Sequence, residues 1–150
     1  MASAFVIRRS GQTVLVRWTE LPTSLDFHEL RRSLLVARHL AGGPVKFIAV
    51  VPESVPPFLA SDTQQEVLLL GSELFSHCLS IDIVVEGSSQ HRRQLNRMLH
   101  ALAESVALPI EMRIHGALDE ALRASGTPQP FDPVPLPVPR LRSRVLPTRR

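Results

Sequence analysis

The sequence predicts an α/β protein in which helices pack on a mostly parallel central sheet that begins with an N-terminal antiparallel hairpin. Nearly continuous apolar runs at 45–51 and 80–86 are typical of parallel strands that are buried on both faces. Helical patterns alternate with these runs, which favours parallel pairing through right-handed crossovers. Two short apolar segments, 5–9 and 13–18, flank Ser10-Gly11-Gln12, and so tight a connection predicts the hairpin.

A first helix is predicted between the hairpin and the first buried strand. Its start has two candidate caps, because Thr23 with Asp26 and Asp26 with Glu29 both have the three-residue capping spacing. Its end is predicted at 41–44, where glycine and then proline follow the apolar pattern. Apolar residues recur at helical spacing at Phe27, Leu30, Leu34, Ala37 and Leu40 or Ala41.

The stretch from Val45 to Glu66 organises the rest of the chain, because it joins the buried strand, a proline-rich loop at 52–60 and the start of a second helix. Sites in open parallel sheets form where strand carboxyl ends meet helix amino ends, so we expect any site here first. Ser61 and Thr63 each stand three residues before a Gln or Glu and are the candidate caps. The apolar stripe of this helix is predicted at Val67, Leu70, Leu74, Phe75 and Cys78.

The rest of the folded region continues the alternation of strands and helices. A strand at 80–86 is followed by a third helix, which Pro109 is predicted to stop. Apolar and polar residues alternate strictly at 110–115, which predicts a half-exposed edge strand. A short helix is predicted at 118–124.

The third helix has a basic face opposite its apolar stripe. Because no aromatic residues are interleaved with the basic ones, we interpret this face as a solvated surface rather than a nucleic acid interface. Gly87-Ser88-Ser89 at the amino end, helped by Arg92 or Arg93, is a candidate anion site, although a simple turn and cap is the favoured interpretation. The residues of the basic face are His91, Arg92, Arg93, Asn96 and Arg97.

The composition changes at Thr127, which we take as the boundary between an α/β domain (1–126) and a tail (127–150). Five arginines and one acid give the tail a net charge of +4, whereas the other 12 basic and 13 acidic residues give the domain −1. Proline at every second position from 133 to 139 predicts a disordered or extended segment. We interpret the tail as a docking peptide that contacts a partner protein. Its predicted partner-binding residues are Phe131, Val134, Leu136, Val138, Arg140, Leu141, Arg142 and Arg144.

The order of elements from Phe5 to Ala124 resembles the STAS family, the fold of anti-sigma-factor antagonists and of sulphate-transporter tails. The matching features are the opening hairpin, the apolar strand at 45–51, the helix after it, the strand at 81–86 and the final strand and helix. The resemblance implies a phosphorylatable serine or threonine at the start of the second helix. Ser61 and Thr63 lie there and are candidate phosphorylation or anion sites, and helix capping is the alternative role.

The sequence shows no pattern that indicates catalysis. The histidines, the acids and Cys78 lack metal-ligand spacing, so we expect no metal and no cofactor. Cys78 is expected to pack in the core rather than act as a nucleophile. Glu53 and Glu86 follow neighbouring central strands and are a candidate acid/base pair, but we expect separate solvated charges. We therefore predict that the protein is not an enzyme.

These observations favour a non-catalytic regulatory or scaffolding module that binds another protein through the loop at 54–63 and the tail. The single cysteine, a start unlike a signal peptide and the lack of a membrane-length apolar run predict a cytoplasmic location. The single lysine among 17 basic residues is typical of a GC-rich genome, and we take the protein to be bacterial.

Two other functions stay open at this point, and a homo-oligomer is a further class of partner. One is an adaptor that its basic tail tethers to nucleic acid or to an anionic membrane. The other is a domain that binds a small ligand or a nucleotide at the strand carboxyl ends.

Overall fold

A computed structural model of the protein describes residues 4–56, 60–106 and 110–137. Within these ranges the chain has an α/β architecture with four helices and a mixed six-stranded sheet, as the alternating pattern predicts. The strands are β1 (Phe5–Ser10), β2 (Thr13–Trp18), β3 (Val45–Val51), β4 (Cys78–Val85), β5 (Met112–His115) and β6 (Val134–Pro135). The helices are α1 (Ser24–Ala41), α2 (Ser61–Phe75), α3 (Ser89–Val106) and α4 (Leu118–Ala124).

The strand order in the sheet is β5-β4-β3-β2-β1-β6. The pairs β2–β3, β3–β4 and β4–β5 are parallel, and α1, α2 and α3 connect their strands. β1 and β2 form the predicted antiparallel hairpin, and Gly11 in its turn has a φ of +59°, a conformation that favours glycine. β6 pairs antiparallel with the outer edge of β1, where Val134 lies opposite Arg9 and Pro135 opposite Arg8.

Both ends of α1 are formed by signals that are visible in the sequence. Thr23 and Asp26 make a reciprocal capping box, in which the Thr23 N–H donates to Asp26 Oδ2 at 2.8 Å. Thr23 is therefore the N-cap, and Asp26 is the N3 residue that completes the capping box. The buried Asp26 carboxylate also accepts the N–H of Ala4 at 3.1 Å, which ties the start of β1 to the helix. Gly42 ends the helix in the left-handed conformation, as predicted.

One face of the sheet carries the larger hydrophobic core and is covered by α1, α2 and α3. Phe47 and Ala49 of β3 point to this face, and both are nearly inaccessible to solvent. Trp18 packs between Phe5 and Phe27, with ring centroids 5.3 and 5.5 Å away. This layer contains more of the buried apolar residues than the opposite face does. Each fully buried large side chain contributes about 1.5–3 kcal/mol of hydrophobic free energy, so most of that free energy comes from this layer.

The opposite face carries a smaller core that α4 covers. Ile48 and Val50 of β3 and Val84 of β4 are fully buried there against Ala121 and Leu122. Successive residues of a strand point to opposite faces, so β3 contributes to both cores. This is the doubly buried strand that its apolar run predicts.

The chain beyond α4 packs on this second face. The Thr127 hydroxyl is hydrogen-bonded to Thr13 at 3.0 Å, and both residues are buried. The Lys46 ammonium group donates to the Gly126 carbonyl at 3.1 Å, and Phe131 packs against the smaller core. The described part of the predicted tail, 127–137, is thus in contact with the sheet, and it ends just after β6.

The placement of Cys78 and the exposure pattern of β5 differ from the prediction. α2 ends at Phe75 and β4 begins at Cys78, so Cys78 lies on a strand and not on the helix stripe. Cys78 is three positions after Phe75, which also fits helical spacing, but pairing opposite Val45 places Cys78 in the sheet. β5 does not alternate between exposed and buried residues, because Arg113 and His115 are held against a buried acid of β4.

Replacing Phe131 by alanine tests whether the chain beyond α4 belongs to the fold. Because Phe131 is only half-buried, we expect F131A to lower the free energy of unfolding by about 2 kcal/mol, less than the roughly 3–5 kcal/mol of a fully buried phenylalanine. Urea denaturation monitored by circular dichroism measures this change. V134A, at a residue that is 58% exposed on β6, is the control and should change it by less than about 0.5 kcal/mol. An F131A protein as stable as V134A would contradict the assignment.

Candidate functional site

The strand carboxyl ends and the helix amino ends meet along one edge of the protein, as in other parallel sheets. β3 and β4 end at this edge, and α2 and α3 begin there, at Ser61 and Ser89. It is the place at which the sequence predicts a site. Of the predicted contact loop at 54–63, residues 57–59 lie outside the described part of the chain.

The two candidate phosphorylation residues have different environments. Ser61 is exposed in the first turn of α2, whereas Thr63 is 3% exposed. The N-cap is Ala60, and it makes no side-chain capping bond, so the predicted caps at Ser61 and Thr63 are wrong. A capping residue needs a non-helical backbone just before the helix, and both residues lie within the helix instead. Of the two, Ser61 is the residue that solvent reaches.

The two carboxylates at this edge bind different partners. Glu53 Oε2 accepts the N–H of Ser88 at 3.3 Å, and the Glu53 side chain lies against Gly87. A Cβ at position 87 would come within 2.9 Å of Glu53, and the φ of +118° there is also unfavourable for other residues. Glu86 instead accepts a hydrogen bond from Arg17 at 3.3 Å. Glu53 therefore interacts with the start of α3, whereas Glu86 interacts with a side chain of β2.

An apolar cavity lies between the sheet and the three helices of the larger core. Its volume is about 130 Å³. Among the described residues, no titratable side chain lines it. Its walls include Trp18, Phe27, Val55, Leu95 and Met98. The cavity therefore offers apolar contact and shape rather than an acid, a base or a nucleophile.

The chain's one thiol has the properties of a packed side chain. Cys78 is buried in β4, and burial raises the pKa of its thiol to about 12. The thiolate is the reactive form, so Cys78 is a poor nucleophile and metal ligand at neutral pH. No group of three or more metal-ligating side chains occurs within the ranges that the structure describes.

The predicted partner-binding residues of the tail are described in part. Phe131 is half-buried on the smaller core, Leu136 is half-buried against the larger core, and Val134 is exposed on β6. Phe131 and Leu136 thus contact the chain's own cores. The other five residues, Val138, Arg140, Leu141, Arg142 and Arg144, lie outside the described residues.

A buried ion-pair network on the smaller-core face was not predicted. Asp82 of β4 is fully buried, and its two oxygens accept hydrogen bonds from Nε and Nη2 of Arg113, both at 2.9 Å. His115 Nε2 donates to Asp82 Oδ1 at 2.7 Å. A buried carboxylate is costly without such partners. The sequence carries one signal for this network, because Asp82 is a lone acid within the apolar run 81–85 and a buried acid needs a cation nearby.

The outward face of α2 presents apolar side chains to solvent. Leu69 is 75% exposed and Leu68 is 38% exposed. At helical spacing they share one face with exposed polar residues. We call this face the α2 stripe, and it consists of Ser61, Gln65, Leu68, Leu69 and Ser72.

Comparisons with known proteins leave the family open. No family model matches the sequence, and neither a curated protein nor a solved structure is significantly similar to it. The resemblance to the STAS family therefore stays a prediction. Within the described residues, none of the helices combines the length and the apolar character that crossing a membrane requires.

Asp82→Asn keeps the shape of the side chain and removes the negative charge of the carboxylate that binds both Arg113 and His115. Because Arg113 is 38% exposed and remains hydrated, we expect a loss of unfolding free energy near the low end for a broken buried pair, about 3 kcal/mol. Urea unfolding measures it. E86Q, which alters the exposed pair with Arg17, is the control and should cost less than about 1 kcal/mol. Equal losses of unfolding free energy in D82N and E86Q would show that the network stabilises the fold no more than an exposed ion pair does.

Proposed function

We propose that the protein is a non-catalytic regulatory or scaffolding module of STAS-like fold, with a mostly parallel sheet, that binds another protein in the cytoplasm. The observation that carries this proposal is the α2 stripe, in which Leu69 and Leu68 are exposed on the helix that follows the loop at 54–63. Apolar surface bordered by polar side chains is typical of interaction sites. A partner would cover the two leucines and form hydrogen bonds with the polar residues beside them.

The proposal also uses the accessible hydroxyl of Ser61. It lies one turn before Gln65 on the α2 stripe, at the amino end of the helix. A phosphate there would be favoured by the helix dipole and would add a charge of about −1.5 to −2 next to the leucines. Phosphorylation of Ser61 would therefore change the partner surface directly.

The cationic end of the chain supplies a second contact in this proposal. Residues 138–150 carry all five arginines of the predicted tail. Arginines at a binding surface steer association with an acidic partner and increase the association rate. Because 127–137 packs on the sheet, the contact is assigned to the residues that follow Pro137.

Replacing both exposed leucines by serine tests the α2 stripe. We expect L68S/L69S to lose specific partners in affinity capture from the source cells followed by quantitative mass spectrometry, because the apolar contact is removed. The fold should be kept, since Leu69 is mainly exposed and Leu68 is partly exposed. L79S, at a residue that is 49% exposed on β4, is the matched control and should keep those partners. The same partners recovered with both variants would refute the α2 stripe as a partner surface.

Shortening the chain tests the cationic contact. A protein that ends at Pro137 keeps Thr127, Phe131 and β6, whereas one that ends at Gly126 loses them and the packing they provide. We expect the Pro137 form to unfold at the same urea concentration as the full chain and to bind the captured partner more slowly. An unchanged association rate, measured by surface plasmon resonance, would contradict a role for 138–150. Loss of salt-sensitive binding to DNA or anionic vesicles would instead favour the tethered adaptor.

A further inference from the structure

A basic groove lies between the first half of α3 and the end of β5. Its volume is about 210 Å³, well above the roughly 10–15 Å³ that a cavity needs to hold one water. No acidic side chain lines it among the described residues. The groove is lined by Ser89, Arg92, Arg93 and Asn96 of α3, and by His115 and Gly116 at the end of β5.

The two arginines give the groove its charge. Neither Arg92 nor Arg93 makes an ion pair with an acid of the described ranges. The position of Arg92 depends on a glycine, because a Cβ at position 116 would come within 2.6 Å of Arg92 Nη1. Gly116 therefore leaves room for the guanidinium group of Arg92 at the wall of the groove.

Asn96 is a further polar residue at the wall of the groove. The His115 side chain is directed to the opposite face of the sheet, where Nε2 donates to the buried Asp82 at 2.7 Å, so it is not part of the site. Asn96 Oδ1 is buried and has no hydrogen-bond partner among the described residues. A buried acceptor of this kind requires a donor, and a ligand hydroxyl group supplies one.

The amino end of α3 is not itself the binding element. Ser88 Oγ accepts the N–H of His91 at 3.2 Å, and the Ser88 N–H donates to Glu53 at 3.3 Å. This is the turn and cap that the sequence favours at Gly87-Ser88-Ser89. A ligand in the groove is held by the side chains of α3 instead.

We propose that the basic groove binds the phosphate group of a small molecule. Two guanidinium groups match the charge and the hydrogen-bonding geometry of a phosphate dianion, whereas a carboxylate carries one charge. A phosphate hydroxyl or a hydroxyl of an attached sugar donates to Asn96 Oδ1. Both inorganic phosphate and a phosphate monoester have this chemistry. The site is separate from the α2 stripe, so it stands whether or not the protein-binding proposal holds.

Titration of the ¹⁵N-labelled full chain tests the site by NMR. The probes are inorganic phosphate and adenosine monophosphate, with sulfate and acetate as comparison anions at constant ionic strength. We expect saturable shifts at Gly116 and Asn96 with both phosphate probes. Sulfate should bind more weakly because it has no proton for Asn96, and acetate more weakly because it carries one charge. Tighter binding of the nucleotide identifies a phosphate monoester as the ligand, and equal binding identifies phosphate itself.

Variants separate a built site from general charge attraction. R92Q and R93Q should each weaken phosphate binding by about tenfold, as expected for loss of a hydrogen bond to a charged group. R97Q removes the same charge from an exposed residue of α3 outside the groove and should bind like the parent chain. G116A keeps every charge and requires only the flexible end of Arg92 to move, so it should weaken binding less than R92Q does. Equal weakening by R92Q and R97Q, or no saturable shift with either phosphate probe, would overturn the proposal.

Discussion

Burial of β3 on both of its faces is the constraint on which the rest of the structure depends. Phe47 and Ala49 on one face, and Ile48 and Val50 on the other, are at most 3% exposed. Such a strand is stable only if both sides of the sheet are covered. Three long helices cover one side, but α4 has only seven residues on the other. The chain beyond α4 therefore continues across this face and adds Phe131 to the smaller core.

The ion-pair network solves a related problem at the edge of the sheet. β5 has only four residues, and a shift of one residue would turn Arg113 to the opposite face and leave Asp82 buried without its partner. The network therefore specifies the register of β5 as well as stabilising it.

The sequence by itself determined the features that depend on local patterns. The doubly buried strands, the hairpin and the order of elements follow from apolar periodicity and from turn residues. The two candidate capping boxes at the start of α1, of which the structure has the one at Thr23, and the end at Gly42 follow from residues within one helical turn. The edge where Ser61 lies follows from the rule that strand carboxyl ends meet helix amino ends. In each case the residues that interact are near each other in the chain, so their spacing carries the information.

Only the tertiary structure decided the features that join distant residues. The partners of Asp82 lie 31 or more residues away, and the hydrogen bond between Thr13 and Thr127 spans 114 residues. The placement of Cys78 on β4 was likewise settled by pairing with β3, since its spacing fits a helix equally well. Local periodicity does not specify which remote group compensates a buried charge or covers an open face. That choice depends on the free energy of the packed whole, in which burial and hydrogen bonding are satisfied together.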